Sequence, residues 1–152
     1  MTNVLGSDVL TSRLEAALAE RTQANAEFFG AEAERLARVC HRMAERFARG
    51  GRLIAFGRSP AARSDARHVA VEFVHPVIVG KRALPAIGLA GEGGPLVDQL
   101  ALVAESDDIA IAFGAGDDGG AAAAALGLAR QRGCLTLAFA PAGAECEFEP
   151  PG

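Results

Sequence analysis

The sequence predicts an α/β fold, a three-layer sandwich with a parallel sheet, preceded by two long N-terminal helices. After residue 51, short apolar runs alternate with stretches of helical length, and glycines separate them. Such alternation is typical of right-handed crossovers that place helices on both faces of a parallel sheet. The first run, Leu53–Phe56, carries no charge, as expected of a strand buried on both faces.

The first 50 residues predict the two long helices. One is expected from a cap at Ser7 to Phe29, ended by Gly30, and the other from Ala31 to Arg49, ended by Gly50-Gly51. The apolar stripe of the first is Leu10, Leu14, Leu18 and Phe28, and that of the second is Leu36, Val39, Cys40, Met43 and Phe47. Such a pair either covers the sheet or packs against the same pair of another subunit as a helix bundle.

The remaining elements follow in order. Gly57 ends the first strand, and a helix is expected over residues 61–74. The later predictions are a strand at 86–89, a helix from 94, a strand at 109–113, a helix at 121–132 and a strand at 134–140. Ligands of parallel sheets bind beyond the carboxyl ends of the strands, which here are the loops 57–64, 90–94 and 114–120. The helix that starts after Gly57 also offers free N–H groups to an anion.

Composition sets the class of protein. A chain of 152 residues, half of them hydrophobic, predicts one globular domain over 1–152, with a helical pair at 1–50, an α/β core at 51–140 and an irregular tail at 141–152. The net charge of −4 and the lack of Trp and Tyr argue against a nucleic-acid ligand. No uncharged run approaches the roughly 18 residues of a membrane span, so no membrane association is expected.

The three cysteines indicate a reducing compartment. Cys40, Cys134 and Cys146 are odd in number and show no CxxC spacing. This pattern predicts neither a disulfide framework nor a zinc knuckle. We therefore expect reduced thiols and a cytoplasmic protein.

The helix at 61–74 carries the chemistry that the sequence suggests most directly. Asp65, His68 and Glu72 are three and four residues apart and share one helical face. His68 and Glu72 together supply two ligands to an ion such as zinc, which is half of a tetrahedral site. The alternative is a polar helix face with an ordinary hydrogen bond between acid and histidine.

A family resemblance rests on this helix. The motif D-A-x-H-x-A-x-E-F over residues 65–73, followed by R-A-L-P-A-I at 82–87, resembles the phosphoheptose isomerase branch of the SIS (sugar isomerase) domain family. The resemblance extends in order from residue 8 to residue 140 and implies a flavodoxin-like fold that binds phosphosugars. It further implies interconversion of sedoheptulose 7-phosphate and a heptose phosphate, usually by a tetramer with a metal, and it assigns Glu72 the role of base.

The loops depart from the family pattern. Where the family has G-N-G-G-S, residues 57–64 read GRSPAARS, with alanine in place of the phosphate-binding serine. Arg58, Arg63, Ser59 and Ser64 either replace the lost contacts or are solvated loop residues. The T-S-G-x-S loop becomes GAGDDGG at 114–120, whose two carboxylates either repel a phosphate or cap the next helix. The family's T-N-D falls on Ala90, Gly91 and Glu92, so only the acid is kept.

Two further patterns bear on cofactors. Residues 114–119 spell G-x-G-x-x-G, but the strand at 134–140 ends without the acid that a dinucleotide site requires, so no nucleotide cofactor is expected. The family takes its remaining metal ligands, Gln and His, from a C-terminal helix, and residues 141–152 show no helical pattern. Zinc is therefore expected only at the half-site of His68 and Glu72.

These observations lead to one functional expectation and two alternatives. The expected protein is an SIS domain that binds a sugar phosphate, resembles sedoheptulose 7-phosphate isomerase and has weak or lost catalysis. The alternatives are an active isomerase with rewired loops and a protein-interaction adaptor with a protein partner. A homodimer or homotetramer through the N-terminal helices is expected in either case. The predicted site comprises Glu72 as catalytic residue, His68 and Glu72 as metal ligands, and, for substrate, Gly57, Arg58, Ser59, Ser64, Asp65, Glu92, Gly114 and Gly116.

Overall fold

A computed structural model describes residues 4–89 and 93–151 of the chain. The chain divides into two compact units, one of Met1–Ala37 with Pro150–Gly152 and the other of Arg38–Glu149. Within the described ranges, no helix is both long enough and apolar enough to cross a bilayer. The assignment of residues 1–152 to a single domain stays a prediction.

One continuous helix replaces the two that were expected at the N-terminus. Helix α1 covers Val4–Ala48, 45 residues, so the cap at Ser7 and the break at Gly30 are both wrong. Gly30 keeps a helical backbone, and a side chain added there would meet nothing within 4 Å. A glycine inside a helix costs about 1 kcal/mol relative to alanine, and the strong helix formers on both sides offset that cost.

The two predicted apolar stripes of α1 have different surroundings. In the first unit, Leu10, Leu14 and Leu18 are exposed. In the second unit, Val39 is buried and Met43 is half-buried, whereas Cys40 is exposed, contrary to its predicted place on the stripe. The half-buried ring of Phe47 packs on Phe73 with ring centroids 5.7 Å apart. The last turns of α1 therefore belong to the core of the second unit.

The second unit contains a parallel sheet, as the sequence predicts, but with five strands where four were expected. Its strands are β1 (Leu53–Phe56), β2 (Ala86–Gly88), β3 (Ile109–Ala112), β4 (Leu135–Ala138) and β5 (Cys146–Glu147). Its other helices are α2 (Pro60–Val74), α3 (Leu96–Val103) and α4 (Ala121–Gln131), with a 3-10 turn at Ala115–Asp117. The strand order β2-β1-β3-β4-β5 is that of flavodoxin-like folds. The α/β class and the parallel sheet are thus confirmed.

Helices cover both faces of the sheet. Alternate side chains of β1 point to opposite faces, and Ile54 and Phe56 lie in one apolar cluster with Leu100 of α3 and Leu126 of α4. Helix α2 packs on β1 and β2 through a stripe of three buried alanines, Ala62, Ala66 and Ala70. These layers form the sandwich.

The tail differs from the irregular segment that was expected. Strand β5 pairs in parallel with β4, and Phe148, which follows it, is buried. The carboxylate of Glu147 accepts hydrogen bonds from the backbone N–H groups of Ala142 and Ala144 at 2.8 and 2.9 Å, and these bonds lower the pKa of Glu147. A two-residue strand is too short to produce a pattern of alternation, which explains why the sequence did not reveal it.

A charge pair fastens β1 to β3 at their amino ends. Asp108 directly precedes β3, and its side chain is 2% exposed. Its Oδ2 accepts a hydrogen bond from Nη2 of Arg52 at 2.8 Å. Its Oδ1 accepts one from the backbone N–H of Arg52, also at 2.8 Å. Oδ2 also accepts from the backbone N–H of Glu105 at 2.9 Å. The hydrogen bond to Asp108 raises the pKa of Arg52. One buried carboxylate therefore joins the starts of the two central strands.

We expect Asp108→Ala to lower the free energy of unfolding by about 3 kcal/mol, because it leaves two buried backbone N–H groups without their acceptor and removes the buried partner of the Arg52 guanidinium, which keeps only the Val103 carbonyl oxygen and Glu105. Asp107→Ala is the matched control, since the neighbouring acid pairs with Arg49 at 2.8 Å where both side chains are over 40% exposed. Such a pair is worth about 0–1 kcal/mol. Urea unfolding measures both variants, and equal losses would contradict the role given to Asp108.

Candidate functional site

The carboxyl ends of β1 and β3 bring two predicted loops together. Phe56 lies opposite Ala112 in the parallel pair, so Gly57 and Gly114 follow at the same edge of the sheet. A Cβ added to Gly57 would lie 2.5 Å from the Cβ of Ala62, and one added to Gly114 would lie 2.9 Å from it. The first turn of α2 thus packs directly against both glycines. The strand order reverses between β1 and β3, and open α/β sheets bind ligands at that point.

A cavity of about 480 Å³ opens at this edge. Arg58 lines it from the β1–α2 loop, and the starts of α3 and α4 supply the other walls. Those walls are Gly94, Pro95, Leu96, Val97, Gly119, Gly120, Ala121 and Ala124. A second cavity, of about 460 Å³, is lined by Arg58, Ser59, Asp118 and Gly119. Pockets for small ligands have volumes in this range.

The carboxylate of Asp118 occupies the N-terminus of α4. Its Oδ1 accepts from the Gly120 N–H at 3.0 Å and its Oδ2 from the Ala122 N–H at 2.7 Å. The side chain is buried, and the Arg58 guanidinium donates to the Asp118 carbonyl oxygen at 3.3 Å. Of the two roles left open for the acids of this loop, helix capping is the one observed for Asp118.

Ser59 caps the N-terminus of α2. Its hydroxyl oxygen accepts from the Ala62 N–H at 3.1 Å, and Pro60 follows as the first helical residue. A serine cap with proline at the first helical position is a strong start signal for a helix. Ser59 also lines the second cavity.

The other predicted substrate residues lie away from the two cavities. Ser64 and Asp65 are exposed on α2, Arg63 is half-buried there, and Gly116 is exposed in the 3-10 turn; none of the four lines either cavity. Glu92 lies outside the described residues, with Ala90 and Gly91. The structure therefore brings together Gly57, Arg58, Ser59 and Gly114 and leaves the rest of the predicted set apart.

The predicted metal half-site lies on the outer face of α2. The Nε2 of His68 is 3.9 Å from the Oε1 of Glu72, and the two side chains are 74% and 43% exposed. Neither residue lines a cavity described above. In residues 4–89 and 93–151, no three His, Cys, Asp or Glu side chains are grouped so that they could hold a metal ion. The metal and base assignments stay predictions.

Several wall residues of the first cavity do not belong to the predicted site. Pro95, Leu96, Gly119 and Gly120 line the cavity of about 480 Å³. The sequence predicts only that the loops 90–94 and 114–120, which contain or adjoin these residues, lie at the binding edge of the sheet. The available signal was the pair of glycine-containing helix starts, Gly94-Pro95 and Gly119-Gly120. Helices α3 and α4 follow β2 and β3, the two strands that flank β1, so both helices start at the carboxyl edge of the sheet on either side of β1.

Sequence comparisons identify known proteins that resemble this chain. No family model matches the chain. Phosphoheptose isomerases from Solidesulfovibrio magneticus and Desulfovibrio desulfuricans are 29% and 31% identical to it over 134 and 125 residues. These matches cover 80% and 74% of this chain but only 65% and 59% of the relatives, so the chain spans less than two thirds of their length.

Solved structures extend the likeness to the fold. A phosphoheptose isomerase from Francisella tularensis matches with a TM-score of 0.78 at 18% identity, over 93% of this chain and 86% of that one. One from Neisseria gonorrhoeae matches with a TM-score of 0.69 at 18% identity, over 88% and 77%. The curated relatives confirm the predicted resemblance to the SIS family, phosphoheptose isomerase-like, and the solved structures confirm the SIS-type fold.

We expect Gly57→Ala to reduce stability by about 1–3 kcal/mol, because the new methyl group overlaps Ala62 and the Phe113 carbonyl oxygen, 2.9 Å away, and forces the start of α2 outward. Gly116→Ala is the control, since a Cβ there meets nothing within 4 Å. Chemical unfolding compares the two. A Gly57→Ala protein as stable as Gly116→Ala would show that α2 does not pack as described.

Proposed function

We propose that this protein binds a sugar phosphate at the carboxyl edge of β1 and β3, as an SIS protein of the sedoheptulose 7-phosphate isomerase type whose own turnover is weak or lost. The observation that carries the proposal is the cavity of about 480 Å³ at the point where the strand order reverses, with Arg58 in its wall. The curated relatives named phosphoheptose isomerase support the ligand class.

Two features of the cavity favour a negatively charged group near Arg58. A guanidinium donates charge-assisted, bidentate hydrogen bonds that match a phosphate. Helix α3 begins at Leu96 after Pro95, which makes no side-chain cap, and both Leu96 and Val97 line the cavity. The positive end of the α3 dipole therefore lies in the wall that Arg58 shares.

The case for weak turnover rests on the residues around Glu72. A base that moves a proton between adjacent sugar carbons must lie within hydrogen-bond reach of the substrate. Glu72 and His68 are exposed on α2 and line neither cavity. Two exposed donors do not by themselves fit a catalytic zinc ion, which needs three protein ligands. Loss of one general acid or base alone costs about 100-fold or more in rate.

The proposal includes a homodimer or homotetramer that forms through α1. Val9, Leu10, Leu14 and Leu18 are each more than half exposed and recur at helical spacing along one side of α1. Contiguous apolar surface of this kind marks association sites. We also propose a cytoplasmic location, which the three free cysteines support.

One observation favours the adaptor alternative. Val77, Ile78 and Val79, just beyond α2, are 80%, 62% and 100% exposed. Three consecutive apolar side chains in water are unusual in a monomer and suit a contact with a protein partner. An adaptor would bind that partner without any dependence on a sugar phosphate.

We expect sedoheptulose 7-phosphate to raise the melting temperature of the protein and Arg58→Ala to weaken binding by about tenfold or more, which is the value of one charge-assisted hydrogen bond. Arg63→Ala is the control, because Arg63 is a neighbouring arginine that lines neither cavity. Calorimetric titration measures the affinities. Binding that Arg58→Ala and Arg63→Ala reduce equally would place the phosphate elsewhere, and a complete lack of binding would favour the adaptor.

We expect the wild-type protein with zinc to convert sedoheptulose 7-phosphate no faster than Glu72→Gln, because Glu72 lies outside both cavities. Product is followed by chromatography at saturating substrate, with a known isomerase as positive control. Turnover that Glu72→Gln lowers by about 100-fold would instead establish the active-isomerase alternative, with Glu72 as its base.

A further inference from the structure

The loop that joins α2 to β2 carries an apolar tip, which we define as Val77–Val79. Its three side chains are 80%, 62% and 100% exposed. The Lys81 N–H donates to the Ile78 carbonyl oxygen at 3.1 Å and closes a β-turn, in which Gly80 has a φ of 84°. A positive φ at the third position of such a turn favours glycine. The apolar side chains are therefore displayed on a turn with a defined backbone.

Hydrogen bonds to α2 hold both ends of this loop. The His75 N–H donates to the Val71 carbonyl oxygen at 2.7 Å, and the Leu84 N–H donates to the Phe73 carbonyl oxygen at 2.8 Å. The loop enters β2 at the amino end of that strand, whereas the two cavities that Arg58 lines lie at the carboxyl edge of the sheet. A contact made by the apolar tip therefore leaves both cavities open.

Two cations follow the apolar tip. Lys81 and Arg82 are both exposed, and the sequence between Glu72 and Glu92 contains no acidic residue. The chain as a whole has a net charge of −4, so this local excess of positive charge runs against its overall balance. The loop thus joins exposed apolar side chains to a positive charge, and the two together fit a partner surface that is apolar below and anionic above.

We propose that the apolar tip and its two cations form a docking site for the surface of an anionic lipid bilayer. Apolar side chains enter the boundary between headgroups and acyl chains, and Lys and Arg attract the anionic headgroups, each raising the binding constant about fivefold. Such contact needs no membrane-spanning helix. The expectation of no membrane association rested on the lack of a long uncharged run, which does not bear on surface contact. The inference is independent of the proposed sugar-phosphate site.

The size of the apolar tip favours a bilayer over the protein partner of the adaptor alternative. A stable protein interface buries about 800 Å² on each partner and involves roughly 20–30 residues. The tip offers three apolar side chains and two cations, and none of the three lines a cavity described above. A second copy of the chain fits less well, because a two-fold contact between two tips would bring their cations together.

Sedimentation of the full chain with lipid vesicles tests the docking site. We expect vesicles of equal parts phosphatidylglycerol and phosphatidylcholine to bind the protein at least about fivefold more tightly than phosphatidylcholine alone. Arg82→Gln should weaken that binding about fivefold, and Ile78→Ser combined with Val79→Ser about tenfold or more. The matched controls are Arg13→Gln, an exposed arginine on α1, and Leu102→Ser, whose side chain is 86% exposed on α3. Both controls should bind as the wild type does.

Three outcomes of this experiment would overturn the proposal. They are equal binding to the two kinds of vesicle, equal losses in the tip variants and their controls, and no binding to either vesicle. The last outcome would leave the apolar tip to the protein partner of the adaptor alternative.

A tryptophan placed at the tip reports insertion directly, because the chain contains no Trp. We expect the fluorescence of Val79→Trp to shift to shorter wavelength with the anionic vesicles and to be quenched by lipids brominated in their acyl chains. Leu102→Trp is the control and should show neither change. Val79→Trp emission that the vesicles leave unaltered would refute insertion of the tip, even for a protein that sediments with them. Neither experiment involves a sugar phosphate, so a failure of the proposed function and a failure of this inference remain distinguishable.

Discussion

The parallel register of β1 with β3 is the constraint on which the rest of the site depends. At the amino ends of the two strands, Asp108 fixes this register by accepting hydrogen bonds from Arg52. At the carboxyl ends, Gly57 and Gly114 have no side chains, so Ala62 can pack directly against them. A shift by one residue would turn each apolar side chain of a strand to the opposite face and separate the two glycines. With the register held, the loops after both strands meet, and the cavity forms where they meet.

Three helices start at this edge of the sheet, and their N-termini differ in whether a side chain caps them. The N-terminus of α2 is capped by the Ser59 hydroxyl and that of α4 by the Asp118 carboxylate, whereas α3 begins after Pro95 without a side-chain cap. The uncapped start of α3 and the capped start of α4 both line the cavity that Arg58 lines. A ligand that enters therefore meets a field with one favourable end for a negative group, which a symmetric ring of helix dipoles would not provide.

Much of this fold follows from local rules, which is why the sequence predicts it. The uncharged run of β1, the serine and proline at the start of α2 and the glycines around α3 and α4 each define an element on their own. The errors arise where a weak local signal opposes a cooperative structure. Gly30 lies within a helix whose flanking residues outweigh it, and β5 forms because β4 offers an edge, a fact that no residue of β5 encodes. Likewise, the sequence shows an acid before α4 but not whether its carboxylate faces the helix or a ligand.

The alanine stripe of α2 limits what its acidic face can do. Ala66 and Ala70 are buried against the sheet, and His68 and Glu72 each follow one of them by two residues, which is about 200° around a helix with 3.6 residues per turn. Turning His68 and Glu72 toward the sheet would expose the alanines and bury both polar side chains. Any chemistry of Glu72 must therefore take place on the outer side of α2, with further groups supplied from beyond the sheet face that α2 covers. The fold thus separates the residues that line the cavity from the residues that the family resemblance identifies with proton transfer.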